Sequence, residues 1–161
     1  MAEITLGGVE TEIERKGWIG INDPACGAGA LLIGARNVMM KRGIPGYSAL
    51  FVAQDIDRTA ALMCYIQLAL LGCAGYVIIG DSLLHPPTGH PLCPDPAPEL
   101  DVWYLPMFYE QTWHYRRLWH RLDTVLRSER PPAVPKELPQ RAAVIPAQTF
   151  SETAAGQLTL F

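Results

Sequence analysis

Charge is scarce in this chain. Charged side chains make up 18% of its 161 residues, 13 basic against 16 acidic, for a formal net charge of −3. No global field of either sign is available to draw in nucleic acid. With 49% hydrophobic residues and a mean hydropathy of +0.10, the same scarcity excludes wholesale disorder. Cysteine is sparse as well. Cys26, Cys64, Cys73 and Cys93 form no CxxC pair, and two of them sit in an apolar run, as reduced cysteines do. A reducing, cytoplasmic setting is the expectation. The N-terminus lacks a basic start followed by an apolar core, so no signal peptide is expected. The histidines follow no zinc-ligand pattern, and no metal site is expected. No internal repeat is visible.

An uninterrupted membrane span is also lacking. Ala60 to Ile79 carries one strongly polar side chain, Gln67, and so imitates one. A spanning helix needs about 20 apolar residues in a row, and Gly72-Cys73-Ala74-Gly75 breaks this run in the middle. Asp55, Asp57 and Asp81 bracket it. A buried helix, a turn and a buried strand are expected there, and no membrane partner.

What the chain does have is unevenly placed. Of its 14 glycines, 12 precede Pro86, and of its 14 prolines, 12 fall from Pro86 onward. This contrast predicts a compact α/β unit followed by extended connections. Trp18 to Asn22 reads as a strand, Gly27-Ala28-Gly29 as a turn, and Ala30 to Arg42 as a helix stopped at Gly43. Ala49 to Ala53 is a second strand. Asp57 is placed to cap a helix from Arg58 to Leu71. Tyr76 to Ile79 is a third strand. These strands are continuously apolar rather than alternating, which predicts a parallel sheet covered on both faces and a Rossmann-like, partial α/β fold. His85 to Pro98 reads as loop. Leu100 to Phe108 is a candidate fourth strand ending at Pro106. Gln111 to Arg130 has helical spacing, with Trp113 and Trp119 expected against the sheet and a basic side in solvent. Phosphate contact by Arg116, Arg117 and Arg121 is the alternative there.

The residues that carry chemistry are Asp23-Pro24-Ala25-Cys26-Gly27-Ala28-Gly29, after a strand and opening a helix. Ligands of open α/β sheets bind beyond the carboxyl ends of the strands, where glycines let them reach the backbone. A dinucleotide site would want a third glycine where Leu32 stands, and an acid before the loop suits a cationic ligand better than a pyrophosphate. S-adenosylmethionine, with its ammonium and sulfonium, is such a ligand. Asp55 and Asp81 end the next two strands and complete an acidic series.

DPACGAGALL resembles the first cofactor motif of the N6-adenine DNA methyltransferases, especially the modification subunits of type I restriction-modification systems. FVAQDIDRTAALMCYIQLALLG and VIIGDSLL resemble the segments that follow it, so the likeness covers Trp18 to Leu84. The resemblance implies an S-adenosylmethionine-dependent methyltransferase fold acting on DNA. By position, Asp23 and Ala25, Cys26, Gly27 and Gly29 would hold the methionine moiety. Asp55 would bind the ribose hydroxyls, Ile56 would pack on adenine, and Asp81 with Ser82 would meet its amino edge. Helix capping is the alternative for Asp55, and a simple turn is the alternative for Asp81.

The pattern then departs from the family's. An Asn/Asp-Pro-Pro-aromatic strand should follow, whose polar groups accept from the target amine and whose ring stacks on the flipped base. The matching positions here are Leu105, Pro106 and Phe108, and an alkyl group accepts no hydrogen bond. His85-Pro86-Pro87-Thr88 lies too close to Asp81 to be that strand. Only 22 residues precede Asp23, and no target-recognition domain fits, so a truncated or minimal member is expected. Two readings stay open. A second methyltransferase or specificity subunit completes the catalytic site, or the chain is a non-catalytic, DNA-associated adaptor. The expected domains are a methyltransferase-like unit over 1–130, with its cofactor half at 18–84, and a proline-rich tail over 131–161. The tail ends in QLTLF, which resembles the pentapeptide that docks on the bacterial sliding clamp. Gln157, Leu158, Leu160 and Phe161 would make that contact.

Overall fold

The computed structural model describes residues 8–128 and two short strands, Ser151–Glu152 and Leu158–Thr159. The chain falls into two units, Met1–Arg127 and Ser128–Phe161. In the first, α1 (Val9–Lys16) leads into β1 (Ile19–Asp23), α2 (Ala30–Lys41), β2 (Ala49–Asp55), α3 (Arg58–Leu70) and β3 (Ala74–Ile79). A small hairpin of β4 (Gly89–His90) and β5 (Cys93–Pro94) follows, then β6 (Asp101–Tyr104) and α4 (Gln111–Ser128). In the second unit, β7 (Ser151–Glu152) pairs antiparallel with β8 (Leu158–Thr159). Among the described residues no helix is long and apolar enough to cross a membrane.

The main sheet has the order β1-β2-β3-β6. Its first three strands are parallel, as expected, but only β2 and β3 are covered on both faces; the edge strand β1 alternates, with Gly20 and Asn22 exposed. β2 is buried along six of its seven positions. Side-chain alternation sorts the core into two layers. Ile19, Ile21, Ala49, Phe51, Ala53 and Val77 meet α2 and α3 through Leu32, Met39, Ala61, Cys64 and Leu68. Leu50, Val52, Tyr76 and Ile78 face Leu92 of the hairpin, with Phe108 and Trp113. Asp57 caps α3 as expected, accepting from Ala60 N–H at 2.9 Å. Asp57→Ala is expected to cost about 1 kcal/mol, read as a lower urea midpoint at unchanged slope. No measurable shift would mean that another group satisfies the end of α3.

Three expectations need correction. The segment after β3 does make a strand, but β6 runs antiparallel to β3, with Tyr76 opposite Tyr104 and Ile79 opposite Asp101. An apolar run shows that a strand forms and says nothing of its direction. It also stops at Tyr104, and Pro106–Tyr109 winds into a 3-10 turn. The His85–Pro98 loop contains the β4–β5 hairpin, which pairs Gly89 with Pro94 and His90 with Cys93 and turns at Pro91-Leu92. Finally, Trp113 is 1% exposed against the sheet, whereas Trp119 is 72% exposed. Only the first turns of α4 pack on the sheet, and Trp119 lies beyond that contact.

Candidate functional site

The register of the sheet arranges the acids as a staircase. Asp23 ends β1 opposite Ala53, two residues short of Asp55, and Asp55 lies opposite Ile79, two short of Asp81. Each step is about 7 Å at the rise of a strand. All three lie at or just past the carboxyl ends of parallel strands; alternation along β1 and β2 places Asp23 and Asp55 on the α2–α3 side of the sheet, and Asp81 follows in the turn beyond β3.

The loop after β1 is built against this staircase. Asp23 accepts from Ala25 N–H at 3.2 Å. Cys26 N–H donates to Gln54 carbonyl at 2.9 Å, which joins the loop to the end of β2. Asp55 does more. One carboxylate oxygen accepts from Gly27 N–H at 2.7 Å and the other from Asp57 N–H at 2.9 Å. It therefore ties the loop to the next strand, while Asp57 takes the capping role. Gly29 opens α2 with φ at 90°, and a Cβ there would stand 2.8 Å from Cys64 Sγ. Only glycine lets α2 start this close to α3. The Cys64 thiol beside it, and then burial, push the Cys26 thiol above its ordinary range, so Cys26 stays neutral. All four cysteines are free.

Asp81 occupies a turn. One of its oxygens accepts from Leu83 N–H at 2.8 Å and from Leu84 N–H at 3.2 Å. Ser82 beside it is half-buried, and Ile56 is 71% exposed above the end of β2.

The geometry also tests whether an ammonium-bearing ligand fits. Asp23 is 9% exposed, and among the described residues no cationic side chain pairs with it. A nearly buried carboxylate without a counter-charge is costly. A cationic ligand group would offset that cost. The donor set fits: an acid, a glycine loop with backbone N–H groups, and a second carboxylate with lone pairs to spare.

The Leu105-Pro106-Phe108 segment is not brought to this site. Because β6 is antiparallel, it follows Tyr104 at the amino end of β3, where Leu105 N–H donates to Gly75 carbonyl at 2.9 Å. Leu105 is fully buried and Phe108 nearly so. Both are core residues at the end of the sheet away from the acids.

A family model described as N-6 DNA Methylase matches residues 8–118. The chain belongs to the N-6 DNA methylase family. No curated protein and no solved structure matches it. The family match spans the whole parallel sheet, the hairpin, β6 and the first part of α4, and therefore includes both the staircase and the displaced segment. Membership makes the domain methyltransferase-like.

Two glutamines escaped the sequence reading of the site. Gln67 Nε2 donates to Ala28 carbonyl at 2.7 Å and so braces the glycine loop from α3. Its signal was there, as the one polar side chain in an apolar run. Gln54 is buried beside Asp55, and its Nε2 donates to the carbonyls of Gly80 at 3.3 Å and His85 at 3.1 Å. Its Oε1 has no partner among the described residues. Of the terminal peptide, Leu158 lies in β8, while Gln157, Leu160 and Phe161 lie outside the described residues.

Proposed function

We propose that this methyltransferase-like domain binds S-adenosylmethionine across the carboxyl ends of β1, β2 and β3. One observation carries the reading: the nearly buried Asp23 carboxylate, without a cationic partner among the described residues, beside a loop only glycine can form. Asp23 and the loop of Ala25, Cys26, Gly27 and Gly29 enclose the amino-acid end. Asp55 has used one lone pair on each oxygen and accepts from the ribose hydroxyls with the others. Ile56 offers an exposed apolar face to adenine, and Asp81 and Ser82 stand one step further for its amino edge. When bound, this cofactor supplies an electrophilic methyl group. The chain's residues bind and orient it.

The acceptor proposed from the family is adenine N6 in DNA. Buried Leu105 at the opposite end of the sheet favours a chain that does not transfer methyl by itself. Either a second methyltransferase or specificity subunit brings acceptor groups to the staircase, or the chain serves as a cofactor-binding adaptor. Titration calorimetry with S-adenosylmethionine tests the first claim, and labelled methyl transfer to duplex DNA tests the second. Binding is expected, and transfer by the chain alone is expected to be at background. No binding heat at millimolar cofactor overturns the assignment of the site. Efficient transfer by the isolated chain overturns the need for a partner.

A further inference from the structure

α4 carries a row of large apolar side chains that the sheet does not use. Tyr115, Leu118, Trp119, Leu122 and Leu126 follow the spacing of one helix face and are 45–72% exposed. The row covers about three turns, ~17 Å at the helical rise. Beside it runs a groove of about 530 Å³, walled by Trp119 and Leu126 on one side and by Lys16, Trp18, His90 and Leu92 on the other. A seam of this kind flanking a pocket matches the way amphipathic helices dock, with anchors three and four residues apart.

Charge selects the occupant. Arg116, Arg117, Arg121 and Arg127 lie on the same helix, with Asp123 as its one acid, a balance of four positive to one negative. Arg116 donates to the carbonyls of Tyr47 and Gly17 and lies over the Trp113 ring, and Arg117 donates to Phe108 carbonyl and lies over its ring. Carbonyls and rings fix these guanidiniums in place without cancelling their charge. Asp123 is already paired with Arg127 at 2.9 Å. A second copy would set one basic helix against another, which is repulsive. The exposed leucines and tryptophan exceed what a phosphate-binding face requires.

We propose that α4 and the groove beside it form a docking surface for an amphipathic helix of another protein, one whose apolar row is flanked by aspartate or glutamate. The row seats on Leu118, Leu122 and Leu126, one anchor side chain enters the groove between Trp18 and Trp119, and the acidic flanks meet Arg121 on one border of the row and Arg116 on the other. The surface lies away from the acid staircase, so occupation of one site does not block the other.

The test uses the full chain and two fluorescent synthetic helices of about 20 residues, long enough to fold on a surface. They share one leucine row and differ in carrying Glu or Lys on the flanks. Anisotropy is expected to show the Glu helix binding at least about tenfold tighter than the Lys helix, with the gap closing as salt rises. Leu122→Ser and Trp119→Ser are each expected to weaken the Glu helix about tenfold, with the thermal midpoint unchanged, because both side chains are exposed. Equal binding of the two helices, or binding of neither, overturns the proposal. A chain dimer in sedimentation that Leu122→Ser dissolves also overturns it, by making the second copy the occupant.

Discussion

Gly75→Ala is expected to remove most of the stability of the domain. Gly75 lies in β3 directly opposite Phe51 of β2, at a φ of 144°. A Cβ at this position would stand 1.8 Å from Phe51 carbonyl oxygen and 2.7 Å from its carbonyl carbon. The obstacle is backbone of the central strand pair, so no side-chain rotation relieves it. Either β3 separates from β2, or Gly75 changes conformation and breaks the bond from Leu105 N–H to its carbonyl. Overpacking alone costs 1–3 kcal/mol, and holding a side chain in this backbone region adds a similar amount. The expected loss is about 4 kcal/mol, a large share of the 5–15 kcal/mol typical of a domain. Urea unfolding followed by tryptophan fluorescence reads it. Gly72→Ala is the control. Gly72 also has positive φ, at 67°, but no atom lies within 4 Å of its would-be Cβ, so about 1 kcal/mol is expected. Equal losses at the two positions would show that backbone strain, rather than the approach of Phe51, governs Gly75.

The same glycine shows where sequence reasoning stops. Gly72-Cys73-Ala74-Gly75 reads as a break between a helix and a strand, and half of it is such a break. Ala74 and Gly75 belong to β3, where close strand approach rather than a turn demands glycine. β1, β2, α2 and α3 were legible because apolar runs of the right length are bounded by Gly, Asp and a capping residue. The place of Asp23 and Asp55 at strand ends was legible because the apolar runs of β1 and β2 give way there to polar residues, although each strand continues through one of them, Asn22 and Gln54. The direction of β6 was not, since a four-residue strand pairs equally well either way by pattern alone. That one ambiguity decides whether Leu105 stands near Asp23 or at the far end of the sheet. The α4 face was half legible. Its period showed an apolar stripe, but the sheet covers only the segment around Trp113, and Trp119 with its neighbours extends beyond it. Gln67 stood out as the one polar side chain in an apolar run, but its partner, a loop carbonyl 39 positions away, could not be read from the sequence.

Asp55→Ala is expected to give the largest loss of cofactor affinity among changes that leave the fold intact. The carboxylate holds two elements at once, Gly27 N–H at 2.7 Å and Asp57 N–H at 2.9 Å. It is half-buried, so water replaces it imperfectly. Hydrogen bonds to a charged group are worth about 1.5–3 kcal/mol each. Losing the proposed contact to the ribose hydroxyls therefore weakens S-adenosylmethionine about 10- to 100-fold at 1.4 kcal/mol per decade. Releasing the Gly27 end of the loop adds a further ordering cost to binding. Asp55→Asn separates the two effects. Its amide keeps one acceptor oxygen for the loop but offers only half the acceptors to the ribose, so its affinity should fall between those of the wild type and Asp55→Ala. Thermal stability provides the second readout. Both variants should unfold cooperatively, with Asp55→Ala lower by about 1–2 kcal/mol for the lost backbone ties. If Asp55→Ala binds S-adenosylmethionine as tightly as the wild type while losing that stability, the carboxylate is a loop tether alone. The ribose of the cofactor must then be held elsewhere on the staircase.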